Sequence, residues 1–242
     1  ESIQSQIANL GTNLLTISAL SGTAGGTANV IAGQRNSAGN AVGAGNVARL
    51  TKPWGIGAGL SALYVCDQDG SAIRKITTKQ PGSTYASSYE VTNLPTTGLT
   101  RVMDIAVDGL ENMYVSDIGA KKIFICLRRT TTWKAIAGGG ANVDGTGDKA
   151  SFKSPASLVV DTGGVVWVVD GGALRRLYCT GGAVDVSANW RVDTVPLIAG
   201  STANGPDGKA GRRAIRGVTV SRGGVVGFTD DGAVRRLDMT PK

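Results

Sequence analysis

The chain has no histidine in its 242 residues. That removes the imidazole ligands of the common zinc sites and the side chain most often used as a general base near neutral pH. It has three cysteines, Cys66, Cys126 and Cys179, spaced 60 and 53 residues apart. This is not metal-binding spacing, and an odd count argues against a disulfide framework. Cys66 and Cys126 fall inside apolar runs and read as buried thiols, with one disulfide plus one free thiol as the alternative. Aromatic residues make up 5%, so stacking platforms for single-stranded nucleic acid are scarce. No apolar run reaches the ~20 residues that a membrane-crossing helix needs. No basic-then-apolar leader opens the chain at Glu1, which is uninformative for a mature form or a fragment; the compartment is left open, extracellular or cell surface for a mature secreted chain and intracellular otherwise.

What the chain has in quantity is glycine, 36 residues of it, placed between short apolar runs. In the stretch from Ala135 to Leu177, Leu158-Val159-Val160-Asp161 leads into Thr162-Gly163-Gly164. Val165 to Val169 then leads into Asp170-Gly171-Gly172, and Leu174-Arg175-Arg176-Leu177 follows. Short β-branched runs divided by Gly and Asp predict tightly turned antiparallel strands. Three other segments repeat this order: Pro53–Ile76, Met103–Ile125 and Arg216–Leu237. The aspartate that closes the second run falls at 67, 117, 170 and 230, at intervals of 50, 53 and 60. A repeat of that length with several strands per unit predicts small twisted sheets stacked around an axis, since one such sheet cannot bury both faces alone.

The segments Pro53-Trp54-Gly55-Ile56, Ile105-Ala106-Val107-Asp108 and Ile73-Arg74-Lys75-Ile76 resemble the repeat of the NHL-repeat β-propeller family. Asp144-Gly145 followed by Ala150-x-Phe152-x-x-Pro155 resembles that family's lead-in segment. The resemblance spans about residues 28 to 238. It implies an all-β propeller with about four recognisable NHL-like blades, and it leaves function open because propellers host unrelated activities. Two departures stand out: Arg216 replaces the proline of the fourth unit, and the second unit lacks the Pro-Gly pair.

Residues 1–27 do not match the repeat and read as a non-repeat extension ahead of a propeller at 28–242. The spacing of Ile3, Ile7, Leu10 and Leu14 allows a short helix there. Asn29–Gly33, Lys134–Gly138 and Val195–Gly200 resemble one another and read as outermost fourth strands, a slot that Glu90–Leu94 fills after the first unit. The fourth unit has no such strand after it. Pairing of Val30 and Ile31 beside Val234–Leu237 is therefore expected to close the ring, within one chain or between chains, with a larger ring as the alternative.

The recurring aspartates suggest either calcium or, more simply, carboxylates that accept backbone N–H groups at a strand end and fix the next turn. Asp67-x-Asp69, Asp230-Asp231 and the Asp144/Asp148 pair are the metal candidates, and none completes a calcium-loop pattern. The net charge is +7. The pairs Arg74-Lys75, Lys121-Lys122, Arg175-Arg176 and Arg235-Arg236 belong to the repeat and read as solvated strand faces. The loops entering each inner strand carry a second set: Arg35, Arg49, Lys52, Arg101, Lys149, Lys153, Arg212, Arg213 and Arg216. A basic loop face attracts phosphates or acidic surfaces. Trp54 and Phe152 are read as packing positions, and Trp167 as core. The sequence-level expectation is an interaction or scaffolding module within a larger assembly, not an enzyme, with no cofactor, no metal and no membrane span. Its partners would be other proteins or like subunits. RNA or another polyanion on the basic loop face is the alternative, and a hydrolase with a carboxylate-bound metal is the third reading.

Overall fold

The computed structural model describes residues 28–68, 72–82, 84–141, 143–196, 215–221, 223–230 and 233–237. The chain divides into two compact units at Val30/Ile31, and all that follows concerns the second, Ile31–Lys242. The extension at 1–27, with its expected helix, lies outside the described residues.

Four antiparallel sheets follow one another along the chain. The first holds β1 (Gly43–Ala44), β2 (Pro53–Ala58), β3 (Ala62–Asp67), β4 (Ala72–Thr78) and β5 (Tyr89–Leu94), in the order β1-β5-β4-β3-β2. The second is a meander of β6 (Val102–Val107), β7 (Met113–Asp117), β8 (Lys122–Cys126) and β9 (Trp133–Ala137). The third repeats the first, with β10 (Gly145–Thr146), β11 (Pro155–Val160), β12 (Val166–Asp170), β13 (Ala173–Cys179) and β14 (Trp190–Thr194) ordered β10-β14-β13-β12-β11. The fourth has three strands, β15 (Gly217–Val220), β16 (Val226–Asp230) and β17 (Ala233–Leu237). The turns are those the sequence specifies. Gly171 and Gly172, at φ 56° and 90°, make the two-residue link that pairs Asp170 with Ala173, a backbone that only glycine enters without strain.

The first strands of the sheets form a row: β2 packs on β6, β6 on β11 and β11 on β15. The core lies between successive sheets. Tyr64, Cys66 and Ile73 of the first sheet meet Val115, Phe124 and Cys126 of the second. Tyr114, Ile123 and Ile125 meet Val166, Val168 and Leu177 of the third. Trp167, Val169 and Leu174 meet Val226 and Phe228 of the fourth. Strand alternation places each set on one face of its sheet.

The lead-in segment has a defined role. Gly145 and Thr146 pair with Val192 and Arg191 as a short fifth strand, and Ala150 and Phe152 then plug the core. Gly147 lies so close to the preceding sheet that a Cβ there would stand 2.1 Å from the Ile136 carbonyl oxygen. Gly45 repeats this, with Ile31 O at 2.0 Å. The hydrogen bonds match as well: Gly138 N–H donates to Gly147 O at 2.9 Å and Gly33 N–H to Gly45 O at 3.0 Å. Ile31 and Ala32 accordingly pack on Ala48, Val65, Ile76 and Val91 of the first sheet.

Three expectations are corrected by this arrangement. Among the described residues β17 pairs with β16 alone, and 28–33 forms no strand, so pairing beside Val234–Leu237 within the chain is not seen. The reason is that Ile31–Gly33 is held on Gly45 of the first sheet. The outer strand of the third sheet is Trp190–Thr194, ahead of the Val195–Gly200 segment assigned to it; Val195 N–H already pairs with Leu174 O at 2.9 Å. Residues 197–200 lie outside the described set. The basic pairs are not solvated faces throughout: Arg74 and Arg175 are buried. They share a register position opposite Val65 and Val168, Arg175 on the face turned to the second sheet and Arg74 on the face where Ile31 and Ala32 pack.

Candidate functional site

Three of the repeated aspartates, Asp67, Asp117 and Asp170, are structural anchors, while the described partner of Asp230 is Arg235. Asp67 accepts the N–H groups of Thr51 (3.0 Å) and Lys52 (2.6 Å), and Arg74 lies 3.1 Å away. Asp170 accepts those of Lys153 (2.8 Å) and Ser154 (2.6 Å), with Arg175 at 3.0 Å. Each ties the loop entering the first strand to the end of the second strand, and Asp117 does the same and also fixes the turn that follows it, through Ala120 N–H at 2.9 Å. In the second sheet Phe124 stands where the other sheets carry arginine, opposite Val115. Asp117 is satisfied without a cation, by Thr100 N–H (2.6 Å), Thr100 Oγ1 (2.7 Å) and Arg101 N–H (3.0 Å). Burial pushes its pKa up, and these donors outweigh burial and hold it below the usual range.

The metal candidates separate in the same way. Asp144 is joined to Arg175 at 3.1 Å and to the Thr194 hydroxyl at 2.8 Å. Asp148 is exposed and paired with Lys149 at 3.0 Å; Lys149 and the Thr146 hydroxyl lower its pKa. Asp69 and Asp231 lie outside the described residues. No group of three or more Cys, Asp or Glu side chains gathers among the described residues. Cys66, Cys126 and Cys179 are free thiols, the first two buried, and burial raises the pKa of Cys66 strongly.

A cavity of about 650 Å³ opens at the start of the first strands. Trp54, Met103, Asp104, Ser154, Ser157, Ile215 and Arg216 line it. A smaller one of about 320 Å³ lies at the other end of the same strands, against Ala58, Val107, Val160 and Thr219. The starts of all four first strands therefore share one end. Lys52, Arg101, Lys153 and Arg216 stand at that end with exposed side chains, as a basic loop face requires. Arg49 does not join them: its guanidinium is turned inward onto Ser37 Oγ (3.1 Å) and the carbonyls of Val47 (2.7 Å) and Ala48 (2.8 Å). Lys149 sits by the short outer strand β10, and Arg35 is exposed in the loop ahead of β1. Arg212 and Arg213 lie outside the described residues. Trp54 was read as a packing residue and is corrected: it is 64% exposed on the cavity wall, because among the described residues no sheet covers the first on that side.

Asp104 was missed in the sequence. It follows the start of β6 at an irregular register, where the bulged strand turns N–H groups away from the sheet ladder. Its carboxylate accepts Leu158 N–H at 3.1 Å and Ile105 N–H at 2.9 Å, bridging the second and third sheets. Ser157 repeats the bridge to Val218 N–H at 3.4 Å. Burial raises the Asp104 pKa, and the Leu158, Ile105 and Ser157 donors offset this only in part. A carboxylate of raised pKa on a cavity wall is suited to proton handling, although here its oxygens already latch two sheets. The signal for it was the repeat itself: Gly55, Asp104 and Ser157 occupy one position, and only two of them carry an acceptor.

No family model matches the chain, and no curated protein sequence matches it. Solved structures do. Virginiamycin B lyase from Staphylococcus aureus superposes with a TM-score of 0.50 at 15% identity, over 78% of this chain and 53% of the lyase. A nidogen/laminin complex matches with a TM-score of 0.48 at 14% identity, over 74% of this chain and 56% of that one. A gluconolactonase from Xanthomonas campestris matches with a TM-score of 0.46 at 15% identity, over 77% and 56%. The chain is thus a β-propeller-type fold, spanning about half the length of the lyase it superposes on. The expectation that it is not an enzyme is corrected here. An enzyme, the lyase, is built on this fold, so the missing histidine does not set the architecture apart from catalysis.

Proposed function

We propose that the chain is an interaction and scaffolding module of the NHL-repeat kind, a run of four propeller blades that completes its packing inside a larger assembly. The observation that carries this is the contrast between equivalent positions along the repeat. Ile56, Ile105 and Leu158 face the same register partner in their sheets, and they are 62%, 2% and 4% exposed. On the opposite face Val234 is 83% exposed, while its counterparts Ile73, Ile123 and Leu174 are at most 1% exposed. Among the described residues no sheet packs before the first blade and none after the fourth. Fully burying a side chain of this size contributes about 1.5–3 kcal/mol, so both ends favour a partner. The test is the size of the native complex in cell extract. The chain is expected to run well above the size of a single chain and the Ile56→Asp/Val234→Asp variant as a monomer. Co-migration of both at monomer size would sink the reading.

A second reading rests on a different observation, the exposed Lys52, Arg101 and Lys153 at the starts of the first strands, the end where the 650 Å³ cavity opens with Arg216 and the exposed Trp54 ring on its wall. That combination suits a phosphate-bearing or acidic ligand, RNA among them, by charge and stacking. Steep loss of RNA-oligomer binding with rising salt supports it; binding indifferent to salt would contradict it.

A further inference from the structure

Resting on that reading of an incomplete assembly, the identity of the missing neighbour can be argued from what already sits on the first sheet. Ile31–Gly33 occupies, against the first sheet, the place that the end of β9 occupies against the third: the same glycine contact, the same N–H to carbonyl bond and the same packing of Ile and Ala onto the core. β9 is the outer strand of the sheet that precedes the third. Ile31–Gly33 is therefore placed as the outer strand of a sheet that should precede the first, and among the described residues no other strand of that sheet is found. Among the described residues the fourth sheet has three strands and no outer fourth one. Its bare face carries Val234, and the bare position on the first sheet is Ile56.

We propose that the fourth sheet of a second copy of this chain docks on the open side of the first sheet, with its β17 adding to Ile31–Gly33. The contact repeats the junction of the second and third sheets, so it needs no new surface chemistry. It also satisfies the unpaired N–H and C=O groups of an edge strand, which otherwise invite non-specific pairing. The repeat fixes the register. Ile123 pairs with Ala137 in the second sheet; Val234 is the counterpart of Ile123 and Ala32 that of Ala137, so Val234 lies opposite Ala32. The two surfaces differ, so the contact is head-to-tail, and it closes on itself or propagates according to the angle between copies.

The test is cysteine trapping in purified full-length chains. Directly opposed residues of antiparallel strands lie at about the Cα separation of a disulfide, roughly 4.5–5.5 Å. Ala32→Cys chains mixed with Val234→Cys chains are expected to form an interchain disulfide at least tenfold faster than Ala32→Cys mixed with Arg236→Cys, which is two residues out of register. Equal rates, or no disulfide, would overturn the proposal. So would a disulfide confined to single chains when Ala32→Cys and Val234→Cys are combined in one chain at high dilution, because the ring would then close on itself. As a second readout, Ile56→Asp and Val234→Asp should each be monomeric alone and form dimers when mixed, since each keeps one intact surface; far-UV circular dichroism checks that both fold. If purified chains do not associate while the extract assembly persists, the partner is a different protein, and the broader reading stands without this one.

Discussion

Replacing Asp67 with alanine removes the anchor of the first sheet, and its cost can be worked from the contacts. Asp67 is fully buried and takes two backbone N–H groups and the Arg74 guanidinium. Arg74 is itself fully buried, and its remaining partners are neutral: the Asn93 side chain at 2.6 Å and the Asn40 side chain at 2.8 Å. Removing one member of a buried pair strands the other charge and costs about 3–5 kcal/mol. The two N–H groups can turn to water more readily, because Lys52 is exposed. A loss of about 3–5 kcal/mol is therefore expected for Asp67→Ala in urea unfolding. Adding Arg74→Met should recover most of it, because the stranded charge disappears; the double-mutant cycle isolates that coupling. Asp170→Ala should cost less, since Arg175 keeps Asp144 at 3.1 Å. A loss under about 1 kcal/mol for Asp67→Ala, or a double variant weaker than the single, would refute the assignment of Arg74 as a charge held by Asp67.

Three further outcomes are expected. Asp117→Asn should cost about 1–3 kcal/mol near neutral pH by orphaning a donor. Because the folded-state pKa of Asp117 lies below its unfolded value, that stabilisation is complete above the ordinary carboxylate pKa of about 4 and is lost as pH falls through the folded value, so the gap to wild type should narrow in acid; a pH-independent gap would contradict this. Gly147→Ala places a Cβ 2.1 Å from Ile136 O and 2.5 Å from Ser187 O, both backbone atoms, and should cost about 1–3 kcal/mol or more in thermal unfolding, whereas Gly109→Ala, with open space around it, should lie within about 0.5. Changing Lys52, Arg101 and Lys153 together to Ser should flatten the salt dependence of RNA-oligomer binding by about 2 in log–log slope, at ~0.7 per lost phosphate contact, and an unchanged slope would remove the basic end from the binding surface.

The sheets were legible in the sequence because a meander writes itself locally: runs of Val, Ile and Leu set the strands, and Asp-Gly-Gly at 170–172 sets the turn between two of them. The outer strands at Glu90–Leu94 and Lys134–Gly138 were legible for the same reason. Arg74 and Arg175 were not, because burial of a cation depends on an aspartate one strand away and two aligned loops, which side-chain polarity alone does not reveal. Trp54 was misread for the converse reason: its position packs in the repeat only when a sheet precedes it. Asp104 needed the bulged register of β6, which shifts a polar side chain toward the next sheet without leaving a composition signal. The basic end was partly legible. Lys52, Arg101 and Lys153 stand where a loop face requires, while Arg49 spends its donors on the carbonyls of its own turn.

The most direct measurement on the open ends is amide exchange at Ala233–Leu237 and Ile31–Gly33, followed with chain concentration. If the fourth sheet docks on the first sheet of another copy, the amides of both segments that bond neither β16 nor Gly45 within the chain should gain protection together as concentration rises, and those same amides should stay unprotected in Ile56→Asp at every concentration. Exchange that stays fast and independent of concentration at the Ala233–Leu237 amides not bonded to β16, in a wild-type chain whose β7 and β12 amides are fully protected, would contradict the proposed completion of the propeller by a second copy.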